Sequence, residues 1–199
     1  MKRLTKRELR VEAIYKAALK VFAAYGFRKA TIEDIANELG VGKSSLYFYV
    51  RDKRELYEKA VAYGLTRWQD KVRKAVADEP DPERKFVVMA KKAYEHLVED
   101  QDLRRILERD PSLFPLDESR DPYAHINRAS MNMIREVLAN AIDAGRFRSV
   151  DLDAVPQLLF AVYVMLVQKA YMFGQGPLAG IMFEDGLDIV LDGLRKPGR

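Results

Sequence analysis

The sequence of 199 residues contains no cysteine. This absence excludes a disulfide framework, a thiolate nucleophile, a zinc site with cysteine ligands and an iron–sulfur cluster. The only two histidines, His96 and His125, fall in different predicted helices without an obvious carboxylate partner. The Asp and Glu residues stand mostly beside Lys or Arg at helix-surface spacing. We therefore expect no metal, no cofactor and no catalytic residue, and predict that the protein is not an enzyme.

The sequence also lacks the marks of export or membrane insertion. The basic start, MKRLTKR, leads into an amphipathic segment and not into the apolar core of a signal peptide. The longest apolar run, from Val155 to Phe173, is interrupted by Gln157, Gln168 and Lys169. This run is more typical of a buried helix than of a membrane span. We expect a cytoplasmic protein without a membrane partner.

The charge is unevenly distributed along the chain. Residues 1–59 hold 14 Lys and Arg against 8 Asp and Glu, whereas residues 60–199 hold 20 against 22. A basic N-terminal part on a near-neutral remainder suggests that this part meets a polyanion. Many proteins also carry a surplus of one charge near a terminus by chance, so the charge alone leaves both interpretations open.

Helical periodicity dominates, and no stretch of useful length alternates as a strand does. The first predicted helix ends at Gly26, and its apolar stripe comprises Ile14, Ala17, Ala18, Val21, Phe22 and Tyr25. Thr31 is a good N-cap for a second helix, which ends at Gly40. The further predicted helices cover residues 42–50, 52–77, 83–99, 101–109, 122–144, 151–173 and 180–194, with loops at 110–122 and 174–180. The fold class is all-α.

The stretch GVGKSS, residues 40–45, raises the question of a phosphate-binding loop. Such a loop needs a glycine five residues before Gly42, and the chain has Asn37 there. The preceding IEDIANEL has helical period and carries three acids, so it does not form the required buried strand. A nucleotide-hydrolysing enzyme is therefore the weakest of the hypotheses.

A helix-turn-helix explains the same stretch better. Gly40 makes the turn, while Val41 and Leu46 face inward and hold a short second helix. Lys43, Ser44 and Ser45 then project from its first turn towards base edges. Tyr47, Tyr49 and Lys53 can donate hydrogen bonds to DNA phosphates. The alternative for Tyr47, Phe48 and Tyr49 is that they are core aromatics between helices.

The run TIEDIANELGVGKSSLYFYVRDKREL, residues 31–56, resembles the DNA-binding head of tetracycline-repressor (TetR) family regulators. The segment from Ile14 to Thr31, with Phe22 and Gly26 between them, resembles the first helix of that head. The resemblance implies a three-helix DNA-binding domain at 1–54 and a helical effector-binding and dimerisation domain at 55–199. It also implies a homodimer on double-stranded DNA with a palindromic operator. In such a head Thr31 caps the second helix against a phosphate.

The resemblance further implies that a small-molecule effector binds in the body. We expect a largely apolar pocket, lined by Phe86, Ala90, Tyr94, His125, Met133, Val137, Tyr163 and Val167, with Gln168 as another polar group. We expect a dimer interface formed by Leu159, Val162, Leu166, Phe173, Leu187 and Leu191. For these residues an ordinary core position in a monomer is the alternative. The leading hypothesis is a ligand-responsive repressor, and a helical DNA-binding protein without an effector is the second.

Overall fold

The computed structural model describes residues 5–110, 113 and 121–196, apart from the side chains of residues 97 and 98. Over these residues the chain forms helices and no strand, so the predicted all-α class is confirmed. The helices are α1 Lys6–Lys29, α2 Ile32–Leu39, α3 Lys43–Tyr47, α4 Lys53–Asp78, α5 Pro82–Glu99, α6 Gln101–Arg109, α7 Ala124–Asp143, α8 Ala154–Val167 and α9 Gly176–Leu194. The predicted loop at 110–122 lies mostly outside the described residues.

The first helix is kinked where the sequence predicts that it ends. Gly26 has φ +74° and ψ 159°, a combination that is open almost only to glycine. The kink brings the ring of Phe27 to 6.2 Å from Phe22 and 5.0 Å from Tyr57. Tyr25 is exposed, so its predicted place in the buried stripe is wrong. Phe27, which follows the kink, takes the place beside Phe22 instead.

The contacts divide the chain into two compact units. The first comprises the described residues of Met1–Arg67 together with Asp100–Asp110, and the second those of Trp68–Glu99 and Pro111–Arg199. This division differs from the sequence-based boundary at residues 54 and 55, because α4 contributes to both units and α6 belongs to the first. We call the first unit the head and the second the body.

The head is built on a small apolar core with α6 against α1. Its fully buried side chains include Ile14, Phe22, Ile35, Leu46, Leu56, Val61, Leu103 and Leu107. Gly64 of α4 lets the chain pack closely there, since a β-carbon built on it would lie 3.2 Å from Leu103 and 3.4 Å from Leu19. The apolar face of α6 is thus part of the core that holds the DNA-binding helices.

The body packs α5, α7, α8 and α9 around a second core. Phe86 of α5 meets the ring of Phe147 edge-on at 5.9 Å, and Tyr94 stacks on Phe183 of α9 at 4.3 Å. A π-helical turn, Gln168–Met172, follows α8. The last helix begins at Gly176, so the predicted loop at 174–180 is too long. A proline at position 177 suits the first turn of a helix and starts α9 earlier than the glycines suggest.

The start of α4 is held by a pair of acidic residues. Asp52 accepts a hydrogen bond from the N–H of Glu55 at 2.9 Å. The Glu55 carboxylate in turn accepts one from the N–H of Arg51 at 2.6 Å and pairs with Lys59 at 2.9 Å. The hydrogen bond from the Arg51 backbone, followed by that from Lys59, lowers the pKa of Glu55 to about 2. The ionised carboxylate therefore stabilises the turn between α3 and α4.

Replacement of Glu55 by glutamine should lower the thermal midpoint at neutral pH and flatten its dependence on acid. A depressed pKa gives stability that is fully present above the ordinary pKa of a glutamate and is lost as pH falls towards about 2. Thermal melts of both proteins from pH 7 to pH 2 measure this. The midpoint difference should shrink as pH falls, and a difference that stays constant would contradict the assigned role.

Candidate nucleic-acid interface and effector region

The turn before α3 is a left-handed helix cap. Gly40 has φ +66° and ψ 36°, a conformation that costs glycine little and other residues more. Its N–H donates to the carbonyl of Asn37 at 3.0 Å, and the N–H of Val41 donates to that of Ala36 at 3.0 Å. These two bonds form a Schellman motif that ends α2. The corner predicted for a helix-turn-helix is therefore present.

The short α3 has one buried side and one exposed side. Leu46 is buried against the helices of the head, and Val50 beyond the helix is buried as well. Lys43, Ser44, Tyr47 and Phe48 are all exposed. Residues four apart in a helix lie on the same side, so these four side chains form a single surface. We call it the outer face of α3.

The remaining predicted DNA contacts surround this face. Ser45 and Tyr49 are half-buried, and Thr31 is exposed at the start of α2. The Thr31 hydroxyl donates to the Asp34 carboxylate at 2.7 Å and accepts from the N–H of Asp34 at 3.1 Å. These bonds form a capping box, and the bond from the hydroxyl, followed by that from the Thr31 N–H, lowers the pKa of Asp34. Thr31 caps α2 as predicted, while its contact with a phosphate stays a prediction.

Lys53 has a role that its sequence position did not indicate. Its ammonium group donates to the carbonyl of Arg28 at 3.2 Å and to that of Ala30 at 3.0 Å. It also lies 4.8 Å from the centre of the Phe27 ring, within range of a cation–π interaction. Lys53 thus ties the start of α4 to the segment between α1 and α2. The predicted bond from Lys53 to a DNA phosphate remains to be tested.

The comparisons with known proteins agree with this geometry. Residues 14–60 match the model of "Bacterial regulatory proteins, tetR family". This segment of the head is therefore similar to the DNA-binding domain of the TetR family. The predicted class, a ligand-responsive DNA-binding transcriptional regulator, is likewise confirmed. The phosphate-loop alternative requires a strand before the loop, but the helix α2 precedes Gly40.

Individual relatives of this chain are distant. The HTH-type transcriptional repressor KstR2 of Rhodococcus jostii is 24% identical over 90% of this chain and 88% of its own. The fatty acid metabolism regulator protein of Bacillus subtilis is 20% identical over 74% of this chain and 76% of its own. A TetR transcription regulator from Haloarcula marismortui shares the fold, with a TM-score of 0.80 at 22% identity, and covers 94% of this chain and 98% of its own.

The body contains most of the predicted pocket residues in its interior. Phe86, Met133 and Val137 are buried, as is Val167, while Ala90 and Tyr94 are half-buried. The structure differs from the prediction at His125, whose side chain is exposed. His125 lies in the first turn of α7, where its side of the helix faces away from the core. It is therefore not one of the interior polar groups.

One group of interior polar contacts centres on the carbonyl of Ala93. The Tyr163 hydroxyl donates to it at 3.0 Å and the Trp68 indole N–H at 3.1 Å. His96 is buried and stacks on Trp68 at 5.4 Å. Burial raises the pKa of Tyr163 well above its ordinary value, so its hydroxyl stays a hydrogen-bond donor. Trp68 and His96 were not among the predicted pocket residues, although a lone tryptophan in a long helix was a usable signal.

The predicted dimer residues divide between the interior and the surface. Leu166, Leu187 and Leu191 are buried within the chain itself, so they are not available to a partner and their prediction needs correction. Leu159 is half-buried, whereas Val162 and Phe173 are exposed. These three leucines lie on the inner sides of α8 and α9. The exposed apolar residues next to them are Leu158, Met165, Leu178, Ile181 and Ile189.

The helix α8 and its π-helical turn are unusual in their apolar surface. Ala154–Met172 is long and apolar enough to cross a membrane, and it is the one such helix in the described part of the chain. Core helices of other proteins pass the same test of length and composition. Only 17% of this segment is buried within the chain, so it is not the enclosed core helix that the sequence suggested.

Two lysine variants separate a base contact from a structural role. Lys53→Ala removes two charge-assisted bonds, so we expect a loss of about 1–2 kcal/mol of folding stability and weaker binding to every DNA sequence. Lys43→Ala should leave stability within about 0.5 kcal/mol of the parent and change the preferred base at one operator position. Thermal melts and competition binding on duplex variants measure the two effects.

The salt dependence of binding decides whether Lys53 also meets a phosphate. Loss of one phosphate contact lowers the slope of log K against log salt by about 0.9. An unchanged slope would assign Lys53 to the framework alone. An unchanged base preference in Lys43→Ala would contradict its place among the base contacts.

Proposed function

We propose that the protein is a homodimeric repressor that binds a palindromic operator and is released by a small, largely apolar effector. It acts by binding alone, without a catalytic step, in the cytoplasm. This proposal rests on the outer face of α3, whose side chains are exposed while Leu46 is buried behind them. A helix placed in this way fits the major groove of DNA.

The chemistry of the head suits this partner. Lys43 and Ser44 can bond to base edges, and the Tyr47 hydroxyl can donate to a phosphate. The same part of the chain carries the surplus of positive charge, which attracts a polyanion from a distance and makes binding dependent on salt. A single α3 reads only a few base pairs, so a second copy on the next turn of DNA supplies the remaining specificity.

The exposed apolar surface of α8 and α9 supports dimerisation. Leu158, Val162 and Met165 follow one another at three- and four-residue steps along α8 and are exposed. Ile181 and Ile189 of α9 are eight residues apart, close to two helical turns, with exposed fractions of 60% and 73%. A contiguous apolar surface of this kind marks an association site, and a second copy of the same two helices would cover it. We therefore place the dimer face on the outer sides of these helices.

The effector class follows from the interior of the body and from the relatives. The interior contains aromatic and Met side chains together with polar groups, among them the carbonyl of Ala93 with its donors Tyr163 and Trp68. Such an environment suits a long apolar group with one polar end. A FadR regulator of Bacillus subtilis with the same fold was solved in complex with stearoyl-CoA, with a TM-score of 0.75 at 18% identity over 92% of this chain and 98% of its own. Long-chain acyl-CoA thioesters are thus the first class to test.

The connection between effector and DNA is assigned to α6. Arg109 donates to the carbonyls of Ala23 and Ala24 at 2.8 and 3.1 Å, in the last turn of α1 before the Gly26 kink. Asp110 accepts a hydrogen bond from the Tyr57 hydroxyl at 2.6 Å. Because α6 follows α5 directly at Glu99, a shift of α5 on effector binding would act on α1 through these bonds. A few kcal/mol of differential effector affinity suffices to change the population of the DNA-bound form.

The central test combines operator selection with release. Full-length protein is used to select duplexes from a random library at low salt, and we expect an inverted repeat bound by two chains per duplex. Stearoyl-CoA should release this duplex, whereas free CoA, which lacks the apolar chain, should not. Electrophoretic mobility shift and mass measurement of the complex give both results.

The outcomes of this test separate the hypotheses. A selection that enriches no sequence would contradict the proposed operator binding. An enriched operator with one chain per duplex would contradict the dimer. Specific binding that no acyl-CoA of any chain length reverses would contradict this effector class, and failure of other apolar ligands as well would favour the effector-independent protein.

A pair of α6 variants tests the connection itself. Arg109→Ala removes the bonds to α1 and should retain selected-operator binding within about tenfold while reducing the effect of the effector, since coupling energies of 1–3 kcal/mol correspond to about 5–150-fold. Arg105→Ala, an exposed position on the same helix, is the matched control. The ratio of operator affinities with and without effector is the measurement. Equal ratios in the two variants would rule out Arg109 as the connecting residue.

A further inference from the structure

Phe48 is the most exposed large hydrophobic side chain in the described part of the molecule. Its exposed fraction is 85%, against 49% for its neighbour Tyr47. A phenylalanine held in water loses the stability that burial of its side chain would supply. The suggestion that Phe48 is a core aromatic is thus wrong, because Leu46 and Val50 occupy the inner side of this segment. Its position needs another explanation.

The backbone places Phe48 on the surface that faces DNA. Phe48 has φ −70° and ψ −17°, so it continues the helical path of α3 by one residue. It therefore lies one turn beyond Ser44, on the same side as Lys43 and Tyr47. These three neighbours present an ammonium group and two hydroxyls to a ligand. The outer face is polar except at this one position.

We propose that Phe48 reads a thymine by apolar contact with the methyl group on C5. The inference rests on the placement of α3 in the major groove. In that groove the thymine methyl is the one apolar group that a base pair presents, and phenylalanine is among the side chains suited to it. Phe48 has no hydrogen-bond donor, so it cannot replace a tyrosine at a phosphate or an arginine at a guanine. Burial of its ring against the methyl group supplies the contact that the free protein lacks.

The same geometry argues against a protein partner at this position. A docking site for another protein needs a contiguous apolar patch, whereas Phe48 is flanked by a lysine, a serine and a tyrosine. The polar neighbours match the edges of bases and phosphates. The occupant of this surface is therefore duplex DNA, with a thymine placed within reach of the ring of Phe48.

The experiment replaces thymine by deoxyuridine, which lacks only the methyl group. The duplex selected by the parent protein is remade with one symmetric pair of thymines changed at a time. At the pair read by Phe48 we expect about fourfold weaker binding per half-site and about 15-fold for both, from about 0.8 kcal/mol per buried methyl group. In Phe48→Ala the same exchange should change binding by less than about twofold.

Two control variants keep the result interpretable. Phe48→Leu keeps an apolar group and should retain part of the sensitivity to the methyl group. Tyr25→Ala removes an exposed aromatic of α1 and should retain all of it. Thermal melts check that the variants remain folded, which the exposure of both side chains leads us to expect.

The proposal and the function on which it rests fail in different ways. No enriched duplex at all would contradict operator binding. An enriched duplex in which every thymine pair tolerates deoxyuridine would overturn the role of Phe48 while leaving operator binding intact. If the exchange of one thymine pair for deoxyuridine weakens binding equally in the parent and in Phe48→Ala, the methyl contact belongs to another side chain. This result would also overturn the proposal.

Discussion

The five residues of α3 are too few to form a stable helix alone, so its position depends on the burial of Leu46. Leu46 packs into the core that α1 and α2 share, and the left-handed conformation of Gly40 sets the angle at which the chain reaches it. Each proposed DNA contact on the outer face of α3 follows from this one anchored side chain. Lys43, Ser44, Tyr47 and Phe48 face outward because Leu46 faces inward.

The body, in contrast, has an excess of exposed apolar surface. Leu166, Leu187 and Leu191 fill its own core, yet α8 and α9 still expose further leucine, isoleucine and methionine side chains. Such a surface is costly in water and suits a protein that is complete only with a second copy of itself.

The local features of the head were predictable because they depend on residues close in sequence. The caps at Thr31, Asp52 and Gly40 each involve groups at most five residues apart, and all three are present. Tyr25 was assigned wrongly because periodicity assumes that the helix runs straight, whereas Gly26 redirects it. The start of α9 was predicted too late in the sequence. The glycines there were taken to indicate a loop, although the proline at position 177 favours the first turn of a helix.

The features that could not be predicted join residues far apart in sequence. Arg109 meets the carbonyl of Ala23, 86 positions away, and Lys53 meets that of Ala30, 23 positions away. Neither donor has a pattern that reveals its acceptor, because a backbone carbonyl is present at every residue. The inner and outer sides of α8 and α9 were also ambiguous, since both sides carry apolar residues and only packing distinguishes them.

The membership of α6 in the head has a consequence for how this protein can be divided. The chain crosses between the two compact units at three places, after Arg67, after Glu99 and after Asp110. A head cut from the chain at residue 54 would lose the second part of its core, including Leu103 and Leu107, and expose the apolar side of α1. Exchange of DNA-binding heads between relatives would therefore have to transplant two separate segments together. Recombination at one point in the gene would leave a mismatched core.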